Sequence, residues 1–252
     1  MVVVSELGKN GQMSNAMFQI SCAIGYARKH NMLYLLPSDW KYFSAFEGSF
    51  NQTNALPEYP IYKELRFAYD EIPYFENVDL SGYWQSKKYW EHCEQEIRAM
   101  FKLKLEFELA AKEFINVHSN GKTPVSCHVR RTDYVSMSHY FHNLSVDWYR
   151  EAMSRFDDTH QFFVMSDDID YCKQHFTFQD NISFCGFSDV MDFAIGVNCS
   201  HNIVANSSFS WWQQFLNTNP NKIVIAPKKW FAEAGEYNKT DDLYYPNTWT
   251  LI

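Results

Sequence analysis

The feature that most constrains this chain is the alternation in its second half. Apolar runs of strand length stand at Val125–Val129, Gln161–Met165, Asn181–Phe184, Ile203–Ala205 and Lys222–Ala226. Helical stretches near 146–156, 169–176, 188–199 and 209–217 fill the intervals. Strands buried on both faces read as unbroken apolar runs. Alternating with helices through right-handed crossovers, they predict a doubly wound α/β domain with a parallel sheet. Ligands of such sheets bind outside the carboxyl ends of the strands.

The first half opens the same way. Val2–Val4 reads as a buried strand, and Leu33–Leu36 as a second one ended by Pro37. Between them Met13, Met17, Ile20, Ile24 and Ala27 mark one face of a helix, with Ser14 or Asn15 as its cap. Residues 38–80 are rich in aromatics, Pro and Asn and show no clear period. A helical reading returns from Lys87 to about His118, with Ile97, Met100, Phe101, Leu105 and Leu109 on one face. Stop and turn signals in His118–Pro124 predict a division into domains 1–120 and 121–252.

Composition excludes some partners. A net charge of −8 argues against nucleic acid and anionic membranes, while leaving room for a local basic site that takes a phosphate-bearing small molecule. The six cysteines include no C-x-x-C pair, which favours a reducing compartment and offers no zinc site. No signal-peptide pattern opens the sequence, and no run approaches the ~20 apolar residues of a membrane helix. The expected location is cytoplasmic.

Three stretches concentrate chemistry at strand ends. In His128-Val-Arg-Arg-Thr-Asp133, alternation sets Val125, Cys127 and Val129 on one face and Ser126, His128 and Arg130 on the other. The Arg130 guanidinium is a planar fork that suits phosphate oxygens. Arg131, pointing away, is expected to be held by Asp133 or by backbone carbonyls. In Phe162-Phe-Val-Met-Ser-Asp-Asp168, a strand delivers Asp167 and Asp168 to the same edge, where a carboxylate can accept from a guanine edge or a ribose hydroxyl. Asp168-Ile-Asp170 also fits a metal-holding D-x-D pattern, yet both residues suit the N-terminus of a helix. The third stretch runs from Ile203 through Asn206, Ser207 and Ser208 into a helix, and a helix N-terminus is an anion site. Trp211 and Trp212 behind it are expected in the core.

With these stretches in view the chain resembles glycosyltransferase family 11, the α-1,2-fucosyltransferases. The likeness rests on GQMSNAMFQIS (11–21), GYWQSKKYW (82–90), HVRRTDY (128–134), FFVMSDD (162–168), NSSFSWW (206–212) and VIAPKKWF (224–231), in family order. It implies a GT-B-like pair of Rossmann-type domains, the N-terminal one on the acceptor side and the C-terminal one binding the GDP-sugar. The implied reaction is an inverting, metal-independent transfer of fucose from GDP-β-L-fucose to the 2-hydroxyl of a galactoside. GDP-fucose is then a co-substrate, and neither a cofactor nor a metal is expected.

Carried over by position, Arg130 holds the β-phosphate and His128 lies near the guanine or pyrophosphate. Asp167 or Asp168 meets the guanosine, and Ser207 and Ser208 bring backbone N–H groups to the phosphates. Arg131, Asn206 and Phe209 complete the donor set, while Asn15, Gln19, Tyr83 and Gln85 fall on the acceptor side. Ser14 and Ala16 depart from the family's glycine and glutamine in a loop expected to face acceptor and donor sugar. The general base stays open between Glu6, Asp133 and the leaving phosphate itself. Another GDP-sugar, another fucose acceptor, or binding of a nucleotide sugar without turnover are the competing readings.

Overall fold

The computed structural model describes residues 1–9, 11–238, 240, 243 and 248–252. The chain forms two compact units, one built on Met1–Lys104 and the other on Leu105–Tyr237 with the C-terminal strand. Both are parallel sheets of the α/β class expected, with helices alternating with strands in the second unit and one α-helical crossover, between the first two strands, in the first.

In the first unit β1 (Val2–Val3), β2 (Tyr34–Pro37), β3 (Gln52–Thr53), β4 (Ile61–Lys63) and β5 (Val78–Ser81) lie in the order β3-β2-β1-β5-β4. Each pair is parallel. Helix α1 (Met13–Lys29) connects β1 to β2 and is buried from Met13 to Ala27 except at Asn15. Its N-cap is Gln12, so Ser14 and Asn15 stand in the first turn and do not cap it. Gly25 lets neighbouring backbone approach, since a Cβ there would lie 2.2 Å from the Tyr89 carbonyl oxygen.

The expected helix over 87–118 is broken. Short 3-10 turns at Lys87–Tyr89 and Glu91–Cys93 precede α2 (Glu94–Met100), and α3 (Leu105–His118) starts afresh. Ile97 and Phe101 are buried, but Leu105 and Leu109 are exposed because the break at 101–104 resets the helical phase. Helix α3 belongs to the second unit, so the division falls after Lys104 and the turn at 119–122 is internal to that unit.

The second unit contains β6 (Thr123–Val129), α4 (Thr132–Ser136), α5 (Val146–Met153), β7 (His160–Ser166), α6 (Ile169–His175) and β8 (Ile182–Phe184). It continues with α7 (Asp189–Asn198), β9 (His201–Ile203), α8 (Ser208–Leu216), β10 (Val224–Ala226) and β11 (Trp249–Leu251). The sheet runs β11-β10-β9-β6-β7-β8, which counted from β6 is the doubly wound order 3-2-1-4-5-6. Its strands are parallel. The strands and helices expected beyond residue 125 are all present; the short α4 and strand β11 were not foreseen.

On one face Val125, Cys127, Val129, Phe162, Val164, Ile203 and Ile225 pack with Tyr149, Ala152 and Met153 of α5. Trp211 and Trp212 are buried, as expected. A buried amide network fixes β9 beside β6. Asn202 donates to Ser126 Oγ at 2.7 Å and to the Gly196 carbonyl at 2.9 Å, and Asn217 donates to Asn202 Oδ1 at 2.8 Å. Fully partnered buried amides specify one register. Among the described residues no helix is long and apolar enough to cross a membrane.

Candidate active site

The strand order reverses between β6 and β9, so the crevice of the second unit opens at their carboxyl ends. The register pairs His128 with Met165 and Val129 with Ser166, which sends Arg130 and Asp167 off the sheet side by side. Arg130 Nη1 donates to Asp167 Oδ2 at 2.7 Å, and its Nη2 pairs with Asp133 Oδ1 at 2.5 Å. The guanidinium also lies 5.3 Å from the Tyr134 ring centre. Asp167 further accepts from the Arg131 backbone N–H at 2.9 Å and from the Thr132 hydroxyl. This carboxylate therefore organises the whole strand exit.

The expected partner of Arg131 is corrected. Because α4 starts at Thr132, Asp133 turns back to Arg130, and Arg131 instead donates to Asp168 Oδ2 at 3.1 Å. Its guanidinium lies on the Tyr171 ring, 3.2 Å from the centre. Asp168 caps α6 by accepting from Tyr171 N–H at 3.3 Å, and the exposed Asp170 sits 3.6 Å from Lys173. The two D-x-D carboxylates are thus engaged separately. Among the described residues no group of three or more His, Cys, Asp or Glu is gathered to hold a metal ion.

His128 projects to the α8 side, its Nδ1 3.3 Å from Ser210 Oγ and its ring 5.0 Å from that of Phe209. Burial pushes its pKa down to about 4; Asp167 acts upward and Arg130 downward on it. The imidazole is therefore neutral at neutral pH. An unfolded histidine takes up a proton near 6.5, which the folded one refuses until about 4. Stability is accordingly lost as pH falls across that interval, by up to about 3 kcal/mol at its lower end. Urea unfolding at neutral and acidic pH is expected to show this loss, and His128→Gln is expected to flatten it. An equal slope in both proteins would remove His128 as the cause.

Across the crevice α8 begins directly after β9. Ser207 is its N-cap, its Oγ accepting from Phe209 N–H at 3.3 Å, and Ser208 is the first helical residue. The first turn turns its N–H groups and positive dipole end to the carboxyl edge of the sheet. Asn206, just before the N-cap, has a bracing role in this structure. Its amide donates to the carbonyls of His142 at 2.8 Å and Trp230 at 2.7 Å, tying two loops together, while its own carbonyl accepts from Tyr134 Oη at 3.0 Å. The second unit thus brings together a charged fork, a neutral imidazole and a helix start, a set suited to a diphosphate.

The first unit has its own strand-order reversal, between β1 and β5. There Ser5 donates from N–H at 3.0 Å and Oγ at 2.5 Å to the buried Asp79, and Ser81 Oγ donates to Glu6 at 2.9 Å. Gln85 Nε2 donates to Asn15 Oδ1 at 2.8 Å. The buried Gln19 donates to the Gly82 carbonyl at 2.8 Å and accepts from Gly8 N–H at 3.3 Å. Glu6, Asn15, Gln19, Tyr83 and Gln85 therefore gather at one sheet edge. Ser14 and Ala16 do not join them, because both are buried within α1 rather than in a ligand-facing loop. One residue was missed: Glu64, which accepts backbone N–H bonds from Tyr83 and Trp84. No spacing in the sequence announces it.

The profile of the family described as Glycosyl transferase family 11 matches residues 33–252. An alpha-1,2-colitosyltransferase of Escherichia coli is 35% identical over 188 residues, 70% of this chain and 63% of that protein. Human galactoside alpha-(1,2)-fucosyltransferase 1 is 29% identical over 55% of this chain and 43% of its own length. The chain thus spans less than two thirds of these relatives. Among solved structures, POFUT1 in complex with GDP superposes with a TM-score of 0.59 at 12% identity, covering 89% of this chain and 98% of that one. The alpha-1,6-fucosyltransferase NodZ, soaked with GDP-fucose, gives 0.55 at 13%, covering 85% and 91%. These likenesses show a shared GT-B fold.

Proposed function

The chain belongs to glycosyl transferase family 11, and from that premise we propose that it transfers L-fucose from GDP-β-L-fucose to the 2-hydroxyl of a galactose-terminated glycan. The observation that carries this is the juxtaposition of Arg130, Asp167 and His128 with the start of α8 at the β6/β9 reversal. A diphosphate seated there meets the Arg130 fork by displacing Asp133, the more exposed of its two carboxylate partners, and lies against the N–H groups that open α8. Asp167 or Asp168 borders the guanosine.

In the reaction the bond from the sugar's anomeric carbon to the β-phosphate oxygen breaks, and the electron pair leaves on GDP. The acceptor oxygen bonds to the opposite face of that carbon, with inversion. Arg130 and the helix dipole stabilise the charge that develops on the leaving phosphate, which lets the step proceed without a metal ion. The acceptor proton goes to Glu6, to Asp133 or to the departing phosphate. Tyr83, Gln85, Asn15 and Gln19 form the acceptor side.

The experiment is GDP release from GDP-fucose in EDTA, with lactose, lacto-N-biose and related galactosides. Acceptor-stimulated release is the expected outcome. Release that requires added Mn²⁺ or Mg²⁺ would overturn the metal-free mechanism, and donor binding without release on any acceptor would favour a binding protein. The E. coli colitosyltransferase relative makes a different GDP-sugar the second reading. A donor panel run in the same assay separates the two.

A further inference from the structure

The Gly82–Gln85 loop of the first unit is held in a conformation that its sequence does not favour. Trp84 has φ of 55°, in the left-handed region, although its side chain is bulky and buried. Such a residue costs about 1–3 kcal/mol and persists only where its surroundings impose it. Glu64, one position past β4, supplies the constraint. Its carboxylate accepts from Tyr83 N–H at 2.7 Å and from Trp84 N–H at 3.0 Å, gripping two successive amides. Gly82 makes room for the grip, because a Cβ there would lie 2.4 Å from Glu64 Cβ. From the opposite side Gln19 holds the Gly82 carbonyl and Asn15 holds the Gln85 amide.

What this loop displays is chemistry for a sugar. Tyr83 is 44% exposed, and the Asn15–Gln85 amide pair lies on the same loop and the start of α1, at the carboxyl edge of the sheet. An aromatic face and amide donors and acceptors suit the apolar face and the hydroxyls of a hexose. We propose that Glu64 is a positioning residue that fixes the Tyr83–Gln85 loop for the glycan acceptor, an inference that rests on the transferase reading above.

The grip is also pH-sensitive. Burial pushes the Glu64 carboxyl up to about 7, against the lowering effect of its two amide bonds and with a further rise from Asp70. Asp70 is itself paired with Arg66, and Cys22 of α1 and Tyr89 face the same carboxylate. Only the ionised form accepts fully from both amides, so the loop loosens as pH falls through neutrality.

The test compares the full chain with Glu64→Gln and Glu64→Ala, using acceptor kinetics at saturating donor and hydrogen exchange of the loop amides. The expected result is an acceptor KM about tenfold higher, a donor KM unchanged within about twofold, and faster exchange at Tyr83 and Trp84. In the unsubstituted enzyme acceptor KM is expected to rise on acidification through pH 7, and in Glu64→Gln to stay flat. Unchanged exchange would mean there is no grip. Faster exchange with an unchanged acceptor KM would make the grip structural only and overturn the proposal. Donor and acceptor KM worsening together would overturn it as well. An unsubstituted enzyme inactive on every galactoside would sink the transferase reading instead, a result visible without either variant.

Discussion

Arg130→Ala is expected to cut acceptor-dependent GDP release by about 10³-fold while leaving the fold intact. The loss follows from the role of the fork. With no other cation assigned to the leaving diphosphate, most of the charge stabilisation at that phosphate passes through this guanidinium. The stability cost is expected to stay below about 1 kcal/mol, because Arg130 and its carboxylates are partly exposed and such pairs contribute little. Arg130→Lys keeps a point charge without the planar fork and should recover only part of the rate. Rate assays beside urea unfolding decide the matter. A full rate in Arg130→Ala would remove this residue from the mechanism, and a collapsed unfolding midpoint would make its role structural.

The second large effect is assigned to Asp167. Its carboxylate accepts from Arg130, from the Arg131 backbone and from Thr132, so Asp167→Ala leaves the fork free to swing and the strand exit without its organiser. The expected loss is about 10²-fold, since misplacement of a catalytic group by about 1 Å costs that much. The informative protein is the double variant. If Asp167 acts through Arg130, Asp167→Ala added to Arg130→Ala lowers the rate no further, a wholly non-additive cycle. Multiplying losses would instead mean that Asp167 touches the nucleotide itself.

The second unit was legible in the sequence because its strands are buried on both faces. Phe162, Phe163, Val164 and Met165 are all within 1% of full burial, and such strands leave unbroken apolar runs between turn residues. The first unit was readable at β1, α1 and β2 and, in part, at α2. Strands β3 and β4 carry two and three residues with exposed positions, Ile61 among them, so no period of two develops. The partners of the two arginines escaped for a local reason: the helical turn at Thr132 redirects Asp133, and no propensity rule foretold a five-residue helix there. Glu64 escaped because its function depends on a loop that returns to it from the far side of β5. A lone carboxylate among exposed residues gives no hint of the amides it will meet.

The strand order has a consequence for how the crevice comes into being during folding. Strands β6 and β7 can pair once the segment through Ser166 is in place, but β9, which flanks β6 on its other side, pairs Val125 with His201 across the intervening α5–α7 region. Closing so long a loop costs conformational entropy before any contact repays it, and non-local parallel pairings form slowly. The Arg130 fork, one residue past β6, is therefore expected to form before the helix start after β9 is delivered opposite it. Such a half-formed unit would carry the arginines without the α8 N-terminus, and nucleotide binding is expected to require the completed sheet.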